Sequence, residues 1–151
     1  MAEYVNNDVQ LVQANQNVVL NDSIPCNKGY IYHRNGSGIL TLRGIVNNPT
    51  ACRARYQATF NGNIAVPDGG TVGAIAVALS LGGEIIQTSK AIVTPAAEDE
   101  YFNVTSTAII DIPRGCCMSL AVENASEGAT PADAPTAINV QNANLVISRI
   151  A

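Results

Sequence analysis

The chain has 151 residues, enough for one domain with a core of its own and too few for two ordinary ones. Apolar residues make up 47% and charged residues only 13%, about half the usual charged share of a soluble domain, so the polar surface must come mainly from Asn, Gln, Ser and Thr. A net charge of −4 and a pI near 4.7 argue against general nucleic-acid binding, which needs Lys and Arg to displace phosphate counterions.

The opening Met-Ala-Glu-Tyr-Val-Asn-Asn-Asp carries neither a basic nor an apolar leader region. Synthesis in a cytoplasm is therefore expected, with any surface role reached through assembly. The apolar-rich run from Val72 to Leu81 is too short to cross a bilayer. Residues 9–20 mix alternation with amides and predict one or two strands, followed by a turn at Pro25, Asn27 and Gly29. A short strand is expected over Gly29–His33, a turn at Asn35-Gly36-Ser37-Gly38, and a strand over Ile39–Arg43. Arg53–Phe60 alternates cleanly, with Ala54, Tyr56, Ala58 and Phe60 on one face and Arg53, Arg55, Gln57 and Thr59 on the other.

Asn61-Gly62-Asn63 predicts a turn, Ile64–Val66 a short strand, and Pro67–Gly70 another turn. Gly82-Gly83 marks a two-residue hairpin between strands over Val72–Leu81 and Glu84–Ile92. An acidic loop spans Pro95–Glu100. Strands over Tyr101–Ile112 and Cys116–Val122 flank Pro113-Arg114-Gly115, and Glu123–Pro135 is a low-complexity loop. The apolar close, Ile138–Ile150, predicts a strand placed centrally in its sheet. Nine to ten strands without an amphipathic helix predict an all-β antiparallel jelly-roll sandwich.

Candidate chemistry is sparse. His33 is the sole histidine, so any Ser-His-Asp triad would need it, and no GxSxG elbow accompanies it; a hydrogen-bonded turn histidine is the expectation. Cys26 with His33 could form a thiolate–imidazole pair, but Cys26, Cys52, Cys116 and Cys117 are expected as free, largely buried thiols. Glu98-Asp99-Glu100 lacks the alternating ligands of a calcium loop. Asp111, Glu123 and Asp133 suggest no carboxylate pair across a cleft. No catalytic, metal or cofactor site is assigned, and no enzyme activity is expected. Five of the eight basic residues, Lys28, Arg34, Arg43, Arg53 and Arg55, fall in one stretch and are candidate attachment residues for an acidic partner. The aromatics available to stack a sugar are Tyr4, Tyr30, Tyr32, Tyr101 and Phe102.

From Gly38 to Ala151 the chain resembles the tumour-necrosis-factor-like jelly rolls, which include the complement globular heads. The likeness lies in Gly38-Ile39-Leu40-Thr41-Leu42-Arg43-Gly44, Arg53–Ala58, the hairpin Val77–Ile86 and the close Ala143–Ala151. The opening, through Val12–Leu20, Cys26–Gly29 and His33–Gly38, is similar to small virion-associated proteins of phages. Together these resemblances imply an attachment segment over 1–37 and a jelly roll over 38–151, in one compact unit. They imply a homotrimer whose shared core would include Leu145, Ile147 and Tyr56. They also imply a capsid decoration or head-fibre role on a virion surface, with the major capsid protein or another virion protein as partner and neither nucleic acid nor membrane. A receptor- or glycan-binding module at a fibre tip or cell surface is the alternative. No collagen-like Gly-X-Y stalk is present, which favours compact decoration.

Overall fold

The computed structural model describes residues 1–24, 29–45, 48–115, 117–128 and 134–151; Cys26, Lys28, Cys116 and Asp133 lie outside this set. The chain folds as a two-sheet antiparallel sandwich. In chain order its strands are β1 (Ala2–Asn6), β2 (Gln10–Val12), β3 (Asp22–Ile24), β4 (Ile31–His33), β5 (Leu40–Leu42), β6 (Arg53–Ala65), β7 (Ile75–Leu81), β8 (Glu84–Ile85), β9 (Ala91–Val93), β10 (Phe102–Pro113), β11 (Met118–Asn124) and β12 (Ile138–Arg149). A single 3₁₀ turn, Gln87–Ser89, is the sole helical element among the described residues. One sheet runs β10-β6-β12-β1-β3, with β2 also on β12; the other runs β4-β5-β11-β7-β8, with β9 also on β7. They are called the first and second sheets below.

The two-residue period of Arg53–Phe60 becomes the packing of β6. Ala54, Tyr56, Ala58 and Phe60 are fully enclosed, while Arg53 and Arg55 face out. Strand β12 sits between β6 and β1, the central place its apolar character predicts, and Val140, Leu145 and Ile147 point inward from it. Opposite them the second sheet contributes Leu40, Leu42, Val77, Leu79, Leu120 and Val122. The Gly82-Gly83 hairpin forms as expected: both residues have positive φ, 62° and 86°, the backbone that a tight two-residue β-turn requires, and Leu81 pairs with Glu84.

Several expectations are overturned. Asn61-Gly62-Asn63 is not a turn; β6 runs unbroken for 13 residues through it. Gly62 points inward under the Phe60 ring, where a Cβ would lie 2.8 Å from Phe60 Cζ, so glycine here makes room for an aromatic side chain rather than a bend. The Glu84–Ile92 strand breaks into β8, the 3₁₀ turn and β9, because Ser89 Oγ accepts from the Leu79 amide (2.9 Å) and donates to the Ile86 carbonyl (2.7 Å), folding the segment back. Strand β11 extends through Glu123 to Asn124 instead of yielding to a loop.

The boundary at 37/38 does not divide the molecule. Strand β1 pairs with β12, and Ala2, Tyr4, Val12, Val18 and Leu20 belong to the same core as the later strands. Tyr4, Tyr56 and Phe60 are fully buried and supply the core with large side chains. Leu145, Ile147 and Tyr56 are each 0% exposed within one copy. They face the opposite sheet, so they are intrachain core and cannot form the contact surface of a trimer.

Candidate functional site

Of the expected basic cluster, Lys28 lies outside the described residues, Arg43, Arg53 and Arg55 come to one end of the sandwich, and Arg34 is set apart from them. Antiparallel pairing of β4 with β5 sets His33 against Leu40 and Ile31 against Leu42, so Arg34 and Arg43 emerge at opposite ends of that hairpin. For Arg34 and Arg43, nearness in sequence did not become nearness in space. Arg53 and Arg55 lie on the outer face of the first sheet, where both bind Asp111 of β10. Arg55 Nε donates to Oδ1 at 2.7 Å, Arg55 Nη2 to Oδ2 at 3.0 Å, and Arg53 Nη1 to Oδ2 at 3.1 Å. The two guanidinium groups hold the Asp111 carboxyl down at about 2. Asp111, expected to be unremarkable, thus neutralises part of the attachment cluster.

Further along the same face the register stacks short polar side chains in rows. Thr107 sits opposite Thr59, Thr105 opposite Asn61, and Asn103 opposite Asn63. Asn61 Nδ2 donates to Asn103 Oδ1 (3.1 Å) and Thr105 Oγ1 (3.0 Å), Asn103 Nδ2 returns bonds to Asn61 and Asn63, and Asn63 Nδ2 reaches Asn142 Oδ1 at 3.3 Å. Asn144 donates to the Glu3 carboxylate one strand further on. The amides of this face therefore bond mostly to one another. Ile109, 57% exposed, and Phe102, 38% exposed, lie on the adjacent strand β10, which ends the sheet.

The outer face of the second sheet carries a different feature, a trough of about 770 Å³. Ser80 and Ser119 line its floor, with Glu123 beside them, 8% exposed and without a basic partner among the described residues. One wall is the 13–17 turn, held by Asn15 N–H to the Asn124 carbonyl (3.1 Å) and Val18 N–H to the Val122 carbonyl (2.8 Å), so that Asn15 and Asn17 face the trough. The other wall is the Gly82-Gly83 hairpin with Glu84 and Gln87, pinned by Gly82 N–H to the Ser119 carbonyl at 2.8 Å. Hydroxyls, amides and carboxylates, without a guanidinium or ammonium among the described lining residues, suit a polyhydroxylated or cationic ligand rather than an anion. Sequence reasoning missed this site because its residues come from four separate segments; only the Gly-Gly hairpin hinted at one wall.

The sugar-stacking aromatics do not converge on the trough. Tyr4 is buried, and burial pushes its phenol up to about 12; Tyr30, Tyr32, Tyr101 and Phe102 are exposed elsewhere. His33 serves its own turn, as expected, with Nε2 2.9 Å from the Ser37 carbonyl and its ring edge-on to Tyr4, centroids 4.8 Å apart. Glu98 and Glu100 accept from backbone amides, Glu98 from Gly69 and Glu100 from Ala96 and Ala97, so both carboxylates tie loops down. No cluster of three or more metal-ligating side chains occurs among the described residues. Cys52 and Cys117 are free, as expected, but exposed instead of buried.

Two antiparallel sheets of this order, closed by a central C-terminal strand, define a jelly-roll β-sandwich of the tumour-necrosis-factor-like type. The globular domain of zebrafish complement 1qA protein has the same fold: TM-score 0.62 at 13% identity, covering 99% of this chain and 97% of that one. A second structure, the C-terminal domain of EclA, described as a sugar-binding protein, aligns at TM-score 0.36 and 19% identity, over 78% of this chain and 82% of that one. No protein-family model and no curated protein matches the sequence.

Proposed function

We propose that the chain is a non-enzymatic surface module that assembles as a homotrimer and decorates a particle, in its most specific form a phage capsid decoration or head-fibre protein made in the host cytoplasm and carried on the virion. The observation that carries this reading is the outer face of the first sheet. Its Asn and Thr side chains are already bonded to one another, so covering them with a second copy forfeits few bonds to water and leaves few polar groups unsatisfied. Beside them runs the 12-residue edge strand β10 with Ile109 outward, an edge that isolated proteins normally blunt or cover. The threefold order is what the tumour-necrosis-factor-like resemblance implies. Light scattering on the purified chain tests it directly. A trimer that Ile109→Lys dissociates into folded monomers is the expected result, and a wild-type monomer at micromolar concentration would end the reading. Protein mass spectrometry of purified particles tests the virion role, which absence from particles would remove.

The trough favours a second reading, a receptor- or glycan-binding module. Its lining matches the donor and acceptor pattern of a sugar, and it opens on the sheet opposite the proposed assembly face. A glycan array probed with the intact protein, beside a Glu123→Gln variant, tests it; silence across neutral and amino sugars would reject it.

A further inference from the structure

Five of the eight basic residues, Arg43, Arg53, Arg55, Arg114 and Arg149, gather at one end of the sandwich. Strand β6 begins there, β5, β10 and β12 end there, and Arg114 N–H bonds the Cys52 carbonyl at 3.1 Å. Asp68, Glu98, Asp99 and Glu100 sit at the other end, where Asp99 N–H bonds the Val66 carbonyl at 2.8 Å. The molecule is thus polarised along its strands, and its positive end draws anions.

Within that end lies a cavity of about 460 Å³ lined by Tyr30, Arg43, Asn48 and Arg149 together with Gly29, Gly44 and Ile45. No carboxylate side chain lines it among the described residues. Arg149 is held in place twice, its guanidinium 4.1 Å over the centre of the Tyr30 ring and its Nε donating to the Ala151 backbone oxygen at 3.2 Å. That leaves its two terminal nitrogens without a hydrogen-bond partner among the described residues. Arg43 forms no ion pair among the described residues, and its backbone is anchored by Arg43 N–H to the Tyr30 carbonyl (2.9 Å) and by the Tyr56 hydroxyl donating to the Arg43 carbonyl (2.6 Å). Arg53 and Arg55, by contrast, are already engaged by their shared partner Asp111.

We propose that the Arg43–Arg149 pocket is an oxyanion-binding site, taking a phosphate or carboxylate group in the fork of Arg149 with Arg43 as the second cation. A planar guanidinium fixed over an aromatic ring has lost its rotamer freedom before the ligand arrives, which favours bidentate recognition. The assignment is independent of the trimer and of the trough.

The test titrates the intact ¹⁵N-labelled protein with inorganic phosphate and, separately, acetate, at constant ionic strength held with chloride. Saturable shifts at Tyr30, Arg43, Gly44 and Arg149 are expected, and which of the two anions saturates at lower concentration identifies the ligand chemistry. Arg43→Gln, whose side chain is exposed, should weaken binding about tenfold. Arg149→Lys keeps the charge but loses the fork and should also weaken it, whereas Arg53→Gln should leave it unchanged. Shifts that fail to saturate with either anion, or that persist equally in Arg43→Gln, would overturn the proposal.

Discussion

Asn124 Nδ2 donates to the Val12 carbonyl at 3.0 Å, joining the last residue of β11 in the second sheet to the last residue of β2 in the first. The same amide reaches the Thr136 carbonyl at 2.9 Å, and its Oδ1 accepts from the Ser126 amide at 3.0 Å. Asn124 is 0% exposed, so it is a buried polar group with donors and acceptor all engaged. Replacing it by Leu leaves two buried carbonyls and an amide without partners. A loss of about 2–4 kcal/mol is expected by urea denaturation, with Asn124→Asp also destabilising because a carboxylate cannot donate.

The Arg53–Arg55–Asp111 group gives stability a pH dependence. The folded carboxyl is held at about 2, below its ordinary value of 3.8, so its contribution is fully present above about pH 5. It fades as pH falls from 4 through 2, where the folded form also takes up its proton. Melting curves of wild type and Asp111→Asn should therefore differ by a constant amount at pH 5–7 and converge near pH 2; a difference that grows on acidification would contradict this assignment.

Gly62 lies beneath Phe60, and a methyl group there would approach Phe60 Cζ to 2.8 Å. Gly62→Ala should cost roughly 1–3 kcal/mol through displacement of the ring, although alanine suits a strand better than glycine. Pairing it with Phe60→Leu should recover part of the loss, since the smaller side chain relieves the overlap. Additive losses in that double mutant would refute the steric cause.

Leu145 and Ile147 are enclosed within one copy, so Leu145→Ala should lower unfolding free energy by about 2–5 kcal/mol without altering the oligomeric state. Ile109→Lys should do the reverse, since its side chain is more than half exposed. Chemical denaturation and light scattering on both variants separate core from interface.

Cys52 and Cys117 are exposed free thiols. Both should react with a disulfide reagent in the native protein at pH 8 without denaturant, and Cys52→Ser and Cys117→Ser should each remove one fast-reacting equivalent.

The elements carried by a local signal were readable in advance. Arg53–Phe60 alternates, Gly82-Gly83 supplies the positive φ that a two-residue hairpin needs, and the apolar close at Ile138–Ile150 announces a buried strand; all three formed. Asn61-Gly62-Asn63 misled because its turn chemistry is local too, yet in place it answers to Thr105 and Asn103 across the sheet and to the Phe60 ring inside it. The expected attachment arginines came together only in part for a related reason: an antiparallel hairpin sends Arg34 and Arg43 to opposite ends, while Arg53 and Arg55 share the end that holds Arg43.

Burial within a strand follows from a period of two residues, a property of a few consecutive side chains, so the amino-acid order settles the sandwich and its inward faces. Which distant side chains meet depends instead on strand order and register. The first sheet puts Asp111 across from Arg55, the two sheets together bring Arg149 to Tyr30 and Arg43, and folding of four segments assembles Ser80, Ser119 and Glu123 into one trough. Those meetings leave no trace in local pattern because the energy that enforces them, burial of the shared core, is collected over the whole chain at once.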